Sequence, residues 1–245
     1  LMDEGALDPS HRETSNRMKQ IAIALHNYHE THQRLPPQAI VDAEGRKLLS
    51  WRVLILPFLG QQALYNQFHL DESWDSPHNL EVAQSIPHQY APTNQSEIRR
   101  GDTRVLAPLT AESAFGRPGL PLTFRDVTDG LSNTIWFVQG PASAAVPWSK
   151  PADWEIDANS YEKWLPTPDA SASVCNMDGS VQSISGAVAW ETLSKWLTIS
   201  GREIVAEDEL HPEEKLPNNY GRSQKLVAQL HFELQQSESF GKLKM

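Results

Sequence analysis

Three histidines, His26, His29 and His32, recur at intervals of three beside Glu30, and imidazole is a favoured zinc ligand. On a helix this spacing carries the rings roughly along one face, where two of them could share an ion. A zincin helix reads His-Glu-x-x-His, whereas this stretch reads His29-Glu30-Thr31-His32. The competing reading is hydrogen bonding at a helix end, or packing at the edge of a core. Asp126 and Asp129 stand just before Gly130, and Asp178 precedes Gly179. Calcium takes six to eight oxygen ligands, more than Asp126-x-x-Asp129-Gly130 offers, while aspartate and glycine satisfy turn geometry with no ion at all. His26, His29, His32, Asp126 and Asp129 are thus the metal candidates, and the reading adopted is that none holds an ion and no cofactor is needed.

Other reactive patterns are missing from the sequence. Ser132 and Ser180 follow glycine-containing turns, but neither lies in a Gly-x-Ser-x-Gly elbow. Glu112 and Glu155 have no carboxylate partner at a telling spacing, and no glycine loop is built to cradle phosphate. A non-enzymatic protein is therefore expected. Binding is easier to argue, because Trp148, Trp154, Tyr161 and Trp164 cluster in one proline-bounded segment. Exposed, such aromatics make a platform for a glycan or peptide; buried, they cap an open sheet face. Burial is the reading preferred for them, as for most of the eight tryptophans.

Composition narrows the field. A formal charge of −10 over 245 residues argues against a nucleic-acid partner, which requires a basic face to neutralise phosphate. A hydrophobic content of 39% supports a real core, and 17 prolines point to many short elements joined by turns. Cys175 is the single cysteine, so an intrachain disulfide is impossible. No apolar run approaches the roughly 20 residues that span a bilayer, and no signal-peptide pattern occurs. The chain starts at Leu1 without an initiator methionine, as a trimmed piece of a longer protein would.

The elements that would position these residues begin with a long amphipathic helix over 15–32. Met18, Ile21, Leu25 and Tyr28 recur at threes and fours and form one apolar stripe. Ser10 and Glu13 read as a capping-box start, and Pro36-Pro37 as the stop, giving a rod of roughly 35 Å at the standard rise. Its stripe is expected to bury against the strand-like segments downstream. Ser50 reads as the cap of a short helix over Trp51 to Leu59, ended or kinked by Pro57, and residues 60–68 as a second short helix burying Leu64, Tyr65 and Phe68. The region from Trp74 to about Pro118 reads as irregular, with short strands hidden in it.

Regular structure returns downstream. Leu122 to Val127 alternates like a half-buried strand, Asp129-Gly130 turns, and Thr134 to Val138 is a second strand rich in β-formers. Residues 141–168 are read as wrapping the sheet. Ala172 to Met177 and Ser180 to Ser185 flank Asp178-Gly179, a strong hairpin signal. A two-residue loop would set Asn176 opposite Val181, and a three-residue loop would set Cys175 there, the better apolar pair. Ala187 to Ser200 has helical spacing, with Gly201 placed to end it. Beyond Val205 the chain turns acidic, and Leu226, Val227, Leu230 and Leu234 mark a last amphipathic helix from Ser223, either docked on the core or offered to a partner. The division expected is 1–206 for the main domain and 207–245 for an acidic linker plus that helix.

Several landmarks, in order, resemble the bacterial family called domain of unknown function 1559, formerly labelled solute-binding. Asn16-Arg17-Met18-Lys19-Gln20-Ile21 through His26-Asn27-Tyr28-His29 and Leu35-Pro36-Pro37 is similar to its opening signature. Ser50-Trp51-Arg52-Val53-Leu54-Ile55-Leu56-Pro57-Phe58-Leu59 with Gln61-Gln62-Ala63-Leu64-Tyr65 looks like its second, continued by Trp74-Asp75-Ser76-Pro77-His78-Asn79. Thr128-Asp129-Gly130-Leu131-Ser132-Asn133, Ala145-Val146-Pro147-Trp148-Ser149-Lys150-Pro151 and Asp178-Gly179-Ser180-Val181 complete the set. The resemblance implies an α+β, pseudopilin-like fold, in which a long N-terminal helix packs on an antiparallel sheet with irregular loops and extra C-terminal helices. It implies export and attachment at the cell envelope, through a prepilin-type helix that this chain does not contain. It implies no activity. Two positions depart from the family pattern: the histidine ten residues before Asp-Gly is Pro168 here, and a Cys-Pro is replaced by Ala91-Pro92. The expected role is an envelope-associated module for assembly or protein contact; the alternative is an extracytoplasmic glycan- or peptide-binding protein using the tryptophan-rich loop.

Overall fold

A computed structural model describes residues 9–92, 100–117, 122–164 and 170–201. The acidic stretch 207–245, with the helix expected from Ser223, lies outside them, as does Pro168. Among the described residues, helix α1 (Pro9–His32) is the longest element at 24 residues. It starts on a proline at its first position, where the missing N–H removes no intrahelical bond. Ser10 and Glu13 therefore lie within the helix rather than at its start. At the other end Gln33 adopts a left-handed conformation (φ 56°) and donates its N–H to the His29 carbonyl, so the helix has already stopped before Pro36-Pro37. Met18, Ile21, Leu25 and Tyr28 are all buried along one stripe, joined by Ala22 and Ala24.

The next segments are short because local stop signals come quickly. Ser50 accepts a hydrogen bond from the Arg52 amide and caps α2 (Trp51–Leu54). A 3-10 turn over Leu56–Leu59 carries Pro57 and closes on Gly60 at φ 74°. α3 (Gln62–Tyr65) is shorter than expected and buries Leu64, with Phe68 buried just beyond it. Inside the stretch expected to be irregular stands α4 (Pro77–Val82), capped by the Ser76 side chain on the Asn79 amide and started by Pro77. The hidden strands of that stretch are β3 (Asp102–Thr103), β4 (Val105–Leu106) and β5 (Pro108–Leu109); they follow β1 (Ala39–Val41) and β2 (Lys47–Ser50), an antiparallel pair. Later come β6 (Ile135–Gln139), β7 (Val146–Pro147), β8 (Trp154–Glu155), β9 (Ser171–Asn176) and β10 (Val181–Ser185).

The central sheet is four-stranded and antiparallel, in the order β10-β9-β6-β4. β3 pairs with β7 antiparallel, and β5 pairs with β8 parallel. The β9–β10 hairpin sets Val181 opposite Cys175, the register that matches two apolar side chains. α1 packs on the Leu56–Leu59 turn and on β9 and β10, so the long helix does lie against the sheet. The fold is α+β.

Both faces of the sheet are covered. Met18, Ile21, Leu25, Trp136, Phe137, Cys175 and Met177 belong to the core beneath α1. Ile135, Val138, Val174 and Ile184 belong to a second core with Trp164, Leu193, Trp196 and Leu197. A register shift between Ile135 and Phe137 puts Trp136 and Phe137 in the same core despite being neighbours. Burial on both sides explains why the strand reads Ile-Trp-Phe-Val without alternation.

Two further expectations are corrected. Leu122 to Val127 is not a strand: Phe124–Asp126 forms a 3-10 turn, because the Asp126 carboxylate takes the Thr123 amide and hydroxyl at 2.7 and 2.9 Å. The late helix runs only over Trp190–Trp196 and ends at Leu197, well before Gly201. Among the described residues no helix is long and apolar enough to cross a membrane.

Candidate functional site

His26, His29 and His32 of α1 each meet an aromatic ring. His26 stacks on Phe124 at 4.7 Å and meets Trp136 edge-on at 5.3 Å. His29 lies 4.3 Å from the same Phe124, while His32 lies 4.3 Å from Tyr28 and 5.9 Å from Phe58. Burial pushes the His26 pKa down, against a hydrogen bond to the Met177 carbonyl that pulls it up. Its Nε2 is buried without a hydrogen-bond partner. The His26 and His29 rings thus sit between α1 and the Phe124 turn, with His26 reaching β6, while His32 lies by the Leu56–Leu59 turn. Among the described residues, no group of three or more His, Cys, Asp or Glu side chains is placed to hold a metal ion.

The aspartates are occupied locally. Asp126 holds the Thr123 turn, and those hydrogen bonds keep its carboxyl below the usual pKa. Asp129 is buried and accepts from Thr198 Oγ1 at 2.9 Å and from the Gly201 amide at 2.7 Å. It therefore ties the Asp129-Gly130 turn to the chain beyond the Trp190–Trp196 helix. Asp178 accepts from the Ser180 amide and hydroxyl and shapes the hairpin loop.

The tryptophan-rich segment divides between the two cores. Trp148 is fully buried, donates its indole N–H to the Ala83 carbonyl at 2.8 Å, and packs against Phe68 and Tyr90. It belongs to the core beneath α1 and shares no surface with the other three. Trp154 and Trp164 lie 4.3 Å apart in the second core, with Trp154 only half-buried, and Tyr161 packs on Trp190 at 5.6 Å. Trp154 and Trp164 line a recess of about 210 Å³ with Leu106, Val138 and Pro141.

Sequence reasoning passed over the most elaborate polar centre. Arg52 and Asp153 form an ion pair at 2.6 Å, with both side chains fully buried. The Arg52 guanidinium also donates to the Val105 carbonyl at 2.8 Å, Ser50 Oγ at 2.7 Å and the Ala152 carbonyl at 3.1 Å, and it lies over the Trp51 ring. Asp153 in turn accepts from Trp51 Nε1, the Ala107 amide and Gln38 Nε2. Burial opposes the Arg52 charge, and the Asp153 carboxylate offsets that penalty. This network clamps α2, β4 and the 150–153 segment together. The signal for it was the Ser50-Trp51-Arg52 run, an arginine in an otherwise apolar stretch. Asn79 does similar work on a smaller scale: buried, it accepts from the His69 amide and donates to the carbonyls of His69 and Ser73, bracing the loop before α4.

A family model described as a protein of unknown function (DUF1559) matches residues 11–198, more than half of the chain. Neither any curated protein nor any solved structure matches it.

Proposed function

The chain belongs to this DUF1559 family of proteins of unknown function, and on that footing we propose that it is a non-enzymatic, envelope-associated, pseudopilin-like module whose work is assembly or protein contact. The observation that carries this reading is the division of α1 between two environments. From Met18 to Tyr28 one face is sunk into the core, whereas His11, Arg12, Glu13 and Asn16 stay exposed. On the outer face Gln20, Ile23, Asn27 and Glu30 form a solvent-facing row, and Ile23, at 59% exposure, is where this reading places a partner contact. The commitment of His26, His29 and His32 to aromatic packing, and of Asp126, Asp129 and Asp178 to turns, favours a binding role over catalysis.

The test is a photo-crosslinking residue at Ile23 in the native host, combined with fractionation. The module reading expects the protein in the envelope or extracytoplasmic fraction, with a covalent adduct to itself or another protein. Recovery in the cytoplasm with no adduct would overturn it.

A second reading, an extracytoplasmic glycan- or peptide-binding protein, draws on the recess beside Trp154 and Trp164. There Trp154→Ala should remove any ligand-dependent fluorescence change. A flat response of the unaltered protein to a broad panel of oligosaccharides and peptides dismisses it.

A further inference from the structure

Two hollows of about 500 and 460 Å³ meet over Gln38, Lys47, Phe115 and Gly116 and together make one groove. One wall is the loop following β5. The buried Ser113 hydroxyl donates to the Pro108 carbonyl at 2.8 Å and accepts from the amides of Thr110 and Gly116 at 3.0 and 3.1 Å. A Cβ at Gly116 would fall 2.1 Å from the Thr110 carbonyl oxygen, so only glycine lets this loop close. The facing wall is the Leu35-Pro36-Pro37 segment and β1, with Leu35 donating its N–H to the Leu122 carbonyl at 2.6 Å. Both walls are thus fixed by hydrogen bonds within the chain, local in the Ser113 loop and long-range at Leu35.

The two arms differ in charge. The smaller hollow holds Arg34, Lys47 and Arg117, all exposed, in a protein whose net charge is −10. Among the described residues none of these three forms an ion pair. Arg34 hydrogen-bonds Tyr28, and Arg117 acts on the Asp126 carboxylate only from a distance. Between the cations lies apolar surface, including Val41 at 54% exposure. The other arm carries Glu155 and Asp157.

We propose that the arm holding Arg34, Lys47 and Arg117 is a docking groove for an extended, acidic polypeptide segment of a partner protein, whose aliphatic side chains lie on Val41 and Pro37. Guanidinium and ammonium groups without carboxylate partners select anions, and apolar walls between them select an anion that carries hydrocarbon. Glu155 and Asp157 repel carboxylates from the far arm, which confines an acidic segment to the cationic one. This inference deepens the protein-contact reading above and rests on it.

The experiment uses the full chain and a fluorescein-labelled hexapeptide of alternating glutamate and valine. Its counterpart has lysine in place of each glutamate. Saturable binding of the acidic peptide that weakens with added salt is expected, with no binding of the lysine peptide. Lys47→Gln and Arg117→Gln should each weaken binding by roughly fivefold to tenfold, the range of one lost charge contact. Val41→Ser should weaken it too, with the salt dependence unchanged. Near-UV circular dichroism identical to that of the parent protein certifies each variant as folded. Equal binding of both peptides, unaltered binding by the charge variants, or no saturable binding of the acidic peptide overturns the proposal. Adducts from Ile23 that persist in the Lys47→Gln, Arg117→Gln double variant, alongside failure of the peptide, would leave the module reading standing and remove this groove alone.

Discussion

Arg52 shows how much one side chain can hold. Its guanidinium joins α2, β4 and the 150–153 segment, and its charge partner, Asp153, is equally sealed from water. Removing one member of such a pair leaves the other buried and uncompensated, which typically destabilises by about 3–5 kcal/mol. Asp153→Asn or Arg52→Gln should therefore lower the urea midpoint sharply. A loss under about 1 kcal/mol would mean that the pair matters less than its burial implies. His26 offers a pH signature. Its pKa is depressed in the fold by burial, relative to an unfolded value near 6.5. Below about pH 6.5 the unfolded chain takes up a proton that the folded chain resists, so stability falls as pH drops through that value and levels off below the folded pKa. In His26→Phe this portion of the slope should vanish, and an unaltered profile would assign the acid sensitivity elsewhere. The histidine spacing was legible in the sequence, but its meaning was not, because Phe124 reaches His26 and His29, and Trp136 reaches His26, from about a hundred positions away.

At the scale of elements, periodicity was a sound guide wherever a hydrophobic face had one neighbour to bury against. The α1 stripe was readable for that reason, and the same stripe makes a contrast experiment. Leu25→Ala should cost about 2–5 kcal/mol, whereas the exposed Ile23→Ala should stay within about 0.5 kcal/mol. Comparable losses at both positions would contradict the packing of the helix on the sheet. The alternating segment Leu122 to Val127 misled because alternation is necessary for a strand but not sufficient. A strand also needs a neighbour to pair with, and here the Thr123–Asp126 hydrogen bonds offer the backbone a local alternative. Thr123→Ala should loosen that turn by about 1 kcal/mol, read as faster amide exchange at Asp126, whose N–H bonds to the Thr123 carbonyl. α4 escaped notice because six residues give too little periodicity to see, although the Ser76-Pro77 start was present in the sequence.

In the whole molecule, the central sheet lies between two cores, one under α1 and one against the Trp190–Trp196 helix and Trp164. Cys175 sits in the first of these, fully buried, and burial pushes its thiol pKa up. It should resist a water-soluble thiol reagent in the native state and react at the rate of global unfolding. Rapid labelling under native conditions would mean that α1 lifts from the sheet locally. The Asp129 carboxylate works across similar distances, binding Thr198 and the Gly201 amide. By itself the sequence determined the α+β class, the long helix and its buried face, the central hairpin with its two candidate registers, and the family signature, because these depend on neighbours a few residues apart. Only the tertiary structure decided which tryptophans share a surface, that Arg52 meets Asp153, and that Arg34, Lys47 and Arg117 ring one groove. Those meetings join residues tens of positions apart, and no spacing along the chain records which distant backbone will supply the other half of a contact.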